Sequence, residues 1–137
     1  MAVTARRILV VALVVVAVSV GIAFAFYREP RVMNAADAEA RWGVAPLDES
    51  VFRSADLSRR AAMAVDIVKR GTFVGSDRVA VREALGDPDS YYWSDTLYAY
   101  KLEPYPGVGK ESWHLVFVPD ERLEKIEAVR ILQKCCQ

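Results

Sequence analysis

The apolar and polar positions divide the chain into parts that follow different rules. From Ile8 to Tyr27 (ILVVALVVVAVSVGIAFAFY) there is no charge, and only Ser19 and Gly21 dilute the Val, Ala, Leu and Phe. At about 1.5 Å per residue, a helix of that length crosses roughly 30 Å, the thickness of a bilayer's hydrocarbon core. A core helix of a small water-soluble domain keeps a polar face toward solvent, and over these 20 residues nothing polar marks one. Arg6 and Arg7 precede it, while Arg28, Glu29 and Arg31 follow with a smaller net positive charge. That asymmetry predicts an N-terminus in the cytoplasm and the rest of the chain outside, with Tyr27 at headgroup level. Ala23-Phe24-Ala25 has the small–x–small form of a signal-cleavage site, so release after Ala25 is the alternative. The run is longer than an ordinary signal core of about 7–15 residues, which favours an uncleaved anchor.

Arg28 to Ala55 reads as a connecting stretch broken by Pro30, Gly43 and Pro46. Its helix-forming piece, Ala35 to Arg41, is too short and polar to stand alone, so a transient or docked helix is expected there. Trp42 and Phe52 are placed to pack back onto the domain. From Ala55 to Arg70 the period turns helical: Leu57, Ala61, Ala64, Val65 and Val68 recur at spacings of three and four. Asp56 suits the N-cap, Lys69 and Arg70 suit the C-terminal end, and Gly71 stops the helix. Ser76 is the expected N-cap of a second short helix with Val79, Val81, Ala84 and Leu85 inward, ended by Gly86 in a left-handed conformation and by Pro88.

After Pro88 the period changes from 3.6 to 2. Leu97 to Leu102 reads as a first strand, followed by a long connection containing Pro104, Pro106, Gly107 and Gly109. Ser112 to Val118 is the strongest strand pattern, and Leu123 to Leu132 is a third, with Ile126, Ala128 and Leu132 on one face. The predicted fold is α+β: a transmembrane or signal helix, then two short helices on one face of a three-stranded antiparallel meander. The expected boundaries are an anchor or signal at 1–27, a linker at 28–55, the domain at 56–132 and a tail at 133–137.

Charge and composition narrow the chemistry. The 18 basic and 18 acidic residues balance, and after residue 27 there are 16 and 18, about −2 net. No bulk attraction to nucleic acid arises from that balance. One His and the adjacent Cys135-Cys136 are too few for a zinc site. Strand alternation sets His114 on the face opposite Trp113, Leu115 and Phe117, with no G-x-S-x-G elbow around Ser94 or Ser112 to give it a nucleophile. Asp87, Asp89 and Asp95 lack the ligand spacing and central Gly of a calcium loop, so turn and capping roles are expected. No catalytic residue, cofactor or metal is assigned. Aromatic residues crowd the sheet half of the chain, and a sheet covered by helices on one face leaves the other open. Trp93, Tyr98, Tyr100 and Tyr105 are therefore the candidate protein-binding residues, because Tyr and Trp bring contact area at low entropic cost.

Gly75-Ser76-Asp77-Arg78-Val79-Ala80-Val81-Arg82-Glu83-Ala84-Leu85-Gly86-Asp87-Pro88 resembles the helix-and-turn stretch of the SmpA/OmlA (BamE-like) domain. The resemblance extends over about 66–130, where an aromatic segment and three strands come in the same order. It implies a small exported protein of the bacterial envelope, related to lipoproteins that scaffold the insertion of outer-membrane β-barrels, and to a two-layer fold also used by protein inhibitors. The chain lacks the lipid-attachment Cys after its apolar run and has a longer segment, Arg28 to Asp66, before the shared region. The expectation is a single-pass protein of the bacterial inner membrane with its C-terminal domain in the periplasm. It would be held to the lipid bilayer by Ile8 to Tyr27 and would bind another envelope protein through the open sheet face and the Glu103 to Glu111 loop. The alternatives are a secreted inhibitor-like domain freed after Ala25 and, third, an enzyme with an unrecognised site.

Overall fold

The computed structural model describes residues 31–92, 94–104 and 111–134, so the expected membrane-spanning run Ile8 to Tyr27 lies outside the described residues. Among those, helices α1 (Ala35–Trp42), α2 (Glu49–Phe52), α3 (Leu57–Arg70) and α4 (Arg78–Leu85) accompany strands β1 (Val32–Met33), β2 (Ser90–Tyr92), β3 (Ser94–Lys101), β4 (Ser112–Pro119) and β5 (Ile126–Lys134). The sheet is antiparallel in the order β1-β5-β4-β3-β2. The fold is α+β, and the expected meander is its centre, β3-β4-β5. The two-residue β1 and three-residue β2 add an edge on each side, and two further helices precede α3.

Each helix start is built by an acidic or amide cap. Asp56 accepts a 2.9 Å hydrogen bond from Arg59 N at the start of α3. At its other end Gly71 is left-handed, with Gly71 N bonded to Val68 O and Thr72 N to Ile67 O, the two-bond closure in which a glycine satisfies the last carbonyls. The cap of α4 is Asp77, which accepts from Ala80 N, and not Ser76. The backbone of Ser76 is engaged elsewhere: its carbonyl accepts from Ile126 N at 2.8 Å. The helix therefore begins one residue later. Gly86 has positive φ (86°) as expected, but its ψ of −177° is extended and not left-handed helical.

The main core lies between the helices and one sheet face. Ala38, Phe52, Ala61, Met63, Ala64, Val65, Ile67, Val81 and Leu85 meet Tyr100, Leu102, Leu115, Phe117, Ile126 and Ile131. Burying large apolar side chains at about 25 cal/mol per Å² is the main stabilising term. Residues 31–55 share in this core through Met33, Ala38, Trp42 and Phe52, although the sequence pattern reads as a connecting stretch. The Phe52, Tyr100 and Phe117 rings form successive edge-to-face pairs at 5.7 and 5.9 Å, the favoured geometry for aromatic quadrupoles. At the other boundary, β5 runs through Gln133 and Lys134, beyond the expected limit at 132.

The other sheet face is not the open surface that the sequence pattern predicts. Tyr92, Ala99, Val116 and Leu132 are buried there as a second small cluster, flanked by Leu97 and Val118. The register between β2 and β3 breaks after Tyr91, where Tyr92 pairs with Ser94. In a flat sheet β2 and β5 would be three strand spacings apart, about 14 Å. The Tyr92 hydroxyl nevertheless lies 3.4 Å from the Gln133 carbonyl of β5, so the Tyr92 side chain reaches across this face. A second irregularity, between Val118 and Pro119 where β4 meets β5, splits the expected apolar face of the last strand. Ile126 enters the main core and Leu132 the rear cluster.

Candidate functional site

The described residues concentrate their exposed apolar side chains at one end of the sheet. Antiparallel β4 and β5 are joined by residues 120–125, where Asp120 accepts at its carbonyl from Leu123 N (3.0 Å) and at Oδ1 from Glu124 N (2.9 Å). Beside this turn runs the α3–α4 connection. Gly75 N donates to Ile126 O, and Asp77 pairs with Lys125 in an isolated antiparallel bridge. Val79 lies in the first turn of α4, two residues after Asp77, and Leu123 lies two residues before Lys125, so the bridge keeps both within a short reach of it. Val79 is 60% exposed, Val74 52% and Leu123 46%. Scattered exposed apolar residues need no explanation, but three of the five large ones (Val32 and Val44 being the others) border this one bridge.

Two backbone conformations mark the same end. Phe73 and Leu123 are the described non-glycine residues with positive φ, at 75° and 60°. Such a conformation costs an L-residue with a bulky side chain roughly 1–2 kcal/mol. Phe73 is compensated inside the protein, since its ring packs edge-to-face on Phe117 at 5.8 Å. Leu123 is held by its turn, where its N–H donates to the Asp120 carbonyl at 3.0 Å, while its side chain stays 46% exposed. Arg78, in the first turn of α4, lies over the Tyr98 ring at 4.4 Å, and a guanidinium over an aromatic face is electrostatically favourable. The surface is thus an apolar group with a cationic and aromatic border, suited to non-covalent contact.

The predicted site residues do not gather in one place. Tyr100 is 2% exposed and belongs to the main core. Its hydroxyl donates to Gly86 O at 2.8 Å, and burial pushes its phenol pKa well above the ordinary tyrosine range. It cannot offer its ring to a partner without opening the core. Tyr98 is half-buried beneath Arg78. Trp93 and Tyr105 lie outside the described residues. His114, which strand alternation sets on the face expected to be open, is buried, with Nδ1 3.2 Å from Ser112 O. Asp87 and Asp89 bond Arg82 and Arg60 respectively, and Asp89 Oδ1 also accepts from Lys101 N at 2.9 Å. Asp89 thereby joins α3 to β3, whereas the Arg82–Asp87 pair stays local to the end of α4. Among the described residues no group of three His, Cys, Asp or Glu side chains is placed to hold a metal.

The sequence pattern assigns Val79 to the inner stripe of its helix, yet the structure turns it outward. The conflict is visible in the spacing, because residues two apart cannot share a helix face and Val81 is fully buried. Leu123 reads as the start of a strand, and nothing in its neighbours announces a positive φ.

Among the described residues, fold and surface define a small α+β domain with a five-stranded antiparallel sheet, helices over one face and exposed apolar residues at one end of the sheet. Comparisons with protein-family models, with characterised proteins and with solved structures return no match. Among the described residues no helix is long and apolar enough to cross a membrane.

Proposed function

We propose that the chain is a membrane-tethered, extracytoplasmic protein-interaction module of the bacterial envelope. It is held in the inner membrane by Ile8 to Tyr27 and presents its domain to the periplasm. In this reading it is a non-enzymatic scaffold that resembles the SmpA/OmlA domain in its Gly75 to Pro88 stretch, and its partner is another envelope protein. The observation that carries the binding role is the group of Val74, Val79 and Leu123 beside the Asp77–Lys125 bridge, with Leu123 held exposed in a costly backbone conformation. That a leucine occupies a left-handed turn position and is kept exposed there supports a role for it outside the fold. Tyr98 with Arg78 forms the border of this surface, a pairing of types enriched where proteins bind.

Photo-crosslinking in intact cells tests the role. A benzophenone amino acid at Val79 or at Leu123 is expected to capture one and the same envelope protein, while the same probe at exposed Glu127 captures none. Equal or absent capture at all three sites removes the binding surface. Ala23-Phe24-Ala25 supports a second reading, a secreted inhibitor-like domain. Mass spectrometry of the mature protein separates the two, because an N-terminus at Phe26 leaves no anchor.

A further inference from the structure

The first described residues are fastened to the sheet. Val32 pairs with Leu132 and Met33 with Ile131, and Gln133 N donates a 2.9 Å hydrogen bond to Arg31 O. The sheet thus holds the chain at Arg31, only four residues after Tyr27, the last residue of the apolar run. Four residues span at most about 14 Å even when fully extended. One headgroup layer takes up roughly 5–7 Å of that. Arg31 therefore stands no more than about 9 Å beyond the headgroups, whereas a folded domain of about 100 residues has a radius of gyration near 13 Å. So short a connection keeps the end of the domain that carries Arg31 beside the headgroups.

The register identifies the end that meets it. Gln133 pairs with Trp113, and His114 with Lys101, so Arg31, Gln133, Trp113 and Lys101 sit at one end of the sheet. Leu102 N bonds Trp113 O, and the next residue, Glu103, is paired with Arg41 of α1 at 2.6 Å. The end of α1, with Trp42, therefore lies at this end too. Val32 is 55% exposed here, and Trp42 and Trp113 are half-buried. An indole that is partly apolar contact and partly wet is the side chain favoured at a membrane–water boundary.

We propose that this end of the domain, bearing Arg31, Val32, Trp42, Lys101 and Trp113, docks on the lipid headgroup surface of the membrane that holds the anchor. The inference rests on reading Ile8 to Tyr27 as an uncleaved span. It gives the molecule an orientation: strands about 24 Å long carry the Val74, Val79 and Leu123 surface to the side away from the bilayer.

The test uses the full chain with Cys135→Ser and Cys136→Ser, reconstituted in phosphatidylcholine–phosphatidylglycerol vesicles. Four variants, Val32→Cys, Lys101→Cys, Val79→Cys and Leu123→Cys, each carry one fluorophore, and the quencher is a lipid spin-labelled in its headgroup. Quenching at positions 32 and 101 is expected to be several-fold stronger than at 79 and 123. Equal quenching at all four positions, or stronger quenching at 79 and 123, overturns the orientation. Alkaline carbonate extraction of the same vesicles keeps the two failures apart. Protein released by carbonate refutes the anchor and the docking with it, whereas protein retained but quenched evenly refutes the docking alone.

Discussion

The Tyr100 hydroxyl, on the helix-covered face of β3, donates a 2.8 Å hydrogen bond to the Gly86 carbonyl at the end of α4. It ties the sheet to a helix terminus whose last carbonyls have no partner within the helix. Tyr100→Phe keeps both edge-to-face ring pairs and strands that carbonyl, so a loss of about 1–2 kcal/mol is expected in urea unfolding at pH 7.

The same residue sets an alkaline limit on stability. Burial pushes the Tyr100 phenol up from its ordinary value. In the unfolded chain it ionises near pH 10, while the folded protein keeps the proton. Above about pH 10 the unfolded state therefore binds fewer protons than the folded state. Stability falls with rising pH, by up to about 1.4 kcal/mol per pH unit for this one group, and is unaffected by it below that range. Unfolding curves at pH 9 and pH 11 check this: the decline between them should be smaller in Tyr100→Phe than in the parent.

Gly43 and Gly86 form a natural comparison. Both close helices with positive φ and extended ψ, at 72° and −169° and at 86° and −177°, a region that residues with a side chain adopt at a cost of roughly 1–3 kcal/mol. A Cβ at Gly43 meets nothing within 4 Å, whereas at Gly86 it meets Arg53 Cγ and Cδ at 3.2 Å. Arg53 cannot swing away freely, because its guanidinium bonds the Glu83 carbonyl. Gly86→Ala should cost about 1 kcal/mol more than Gly43→Ala, the usual lower range for overpacking. In an Arg53→Ala background that excess should vanish, as a double-mutant cycle by thermal unfolding will show.

The elements with a long, regular pattern are legible in the sequence. The Leu57–Arg70 helix with its Asp56 cap and Gly71 stop can be read from spacing alone, and so can the three central strands. Elements of two or three residues leave no period to detect, which is why β1 and β2 escape a pattern reading. The faces of β3 are ambiguous for a physical reason: Tyr98/Tyr100/Leu102 and Leu97/Ala99 are both apolar sets. The choice between them is made by Leu115 and Phe117 on the neighbouring strand, not by β3 itself. Tyr100 reads as a surface anchor because tyrosine brings contact area at low entropic cost, but its hydroxyl is satisfied by a backbone carbonyl 14 residues away that leaves no trace in the side-chain sequence. The exposed apolar surface depends on two such backbone facts, the Asp77–Lys125 bridge and the positive φ of Leu123.

Arg60 and Asp89 should respond unequally to removal. The Arg60 guanidinium is buried, packed over the Phe52 ring at 5.5 Å and bonded to Asp89, while its Nε has no protein partner. The Asp89 side chain keeps 40% of its surface in water. Asp89→Ala leaves a buried cation without its counter-charge and frees Lys101 N, for an expected loss of about 2 kcal/mol, less than for a fully buried pair because water reaches the site. Arg60→Met removes the charge along with its desolvation cost and fills similar volume, so it should change stability by less than about 1 kcal/mol. If urea unfolding finds Arg60→Met the more damaging of the two, the guanidinium is contributing more than it costs to bury.

Leu123 sets stability against binding in a way that one substitution can separate. Its φ of 60° strains a leucine, yet the turn around it is well formed, with Asp120 accepting from both Leu123 N and Glu124 N. Asn tolerates a left-handed backbone and keeps a Cβ, so Leu123→Asn relieves the strain without the unfolded-state entropy that Gly would add. An exposed leucine with no role outside the fold would be replaced at no loss. The expectation is a gain of about 0.5–1 kcal/mol in thermal unfolding, together with lost crosslinking from a probe at Val79. Val79→Asn, at a helical position with negative φ, should lose the same crosslink without any gain in stability. A stabilised Leu123→Asn that still crosslinks normally would mean that the leucine is an unselected liability and that the partner sits elsewhere.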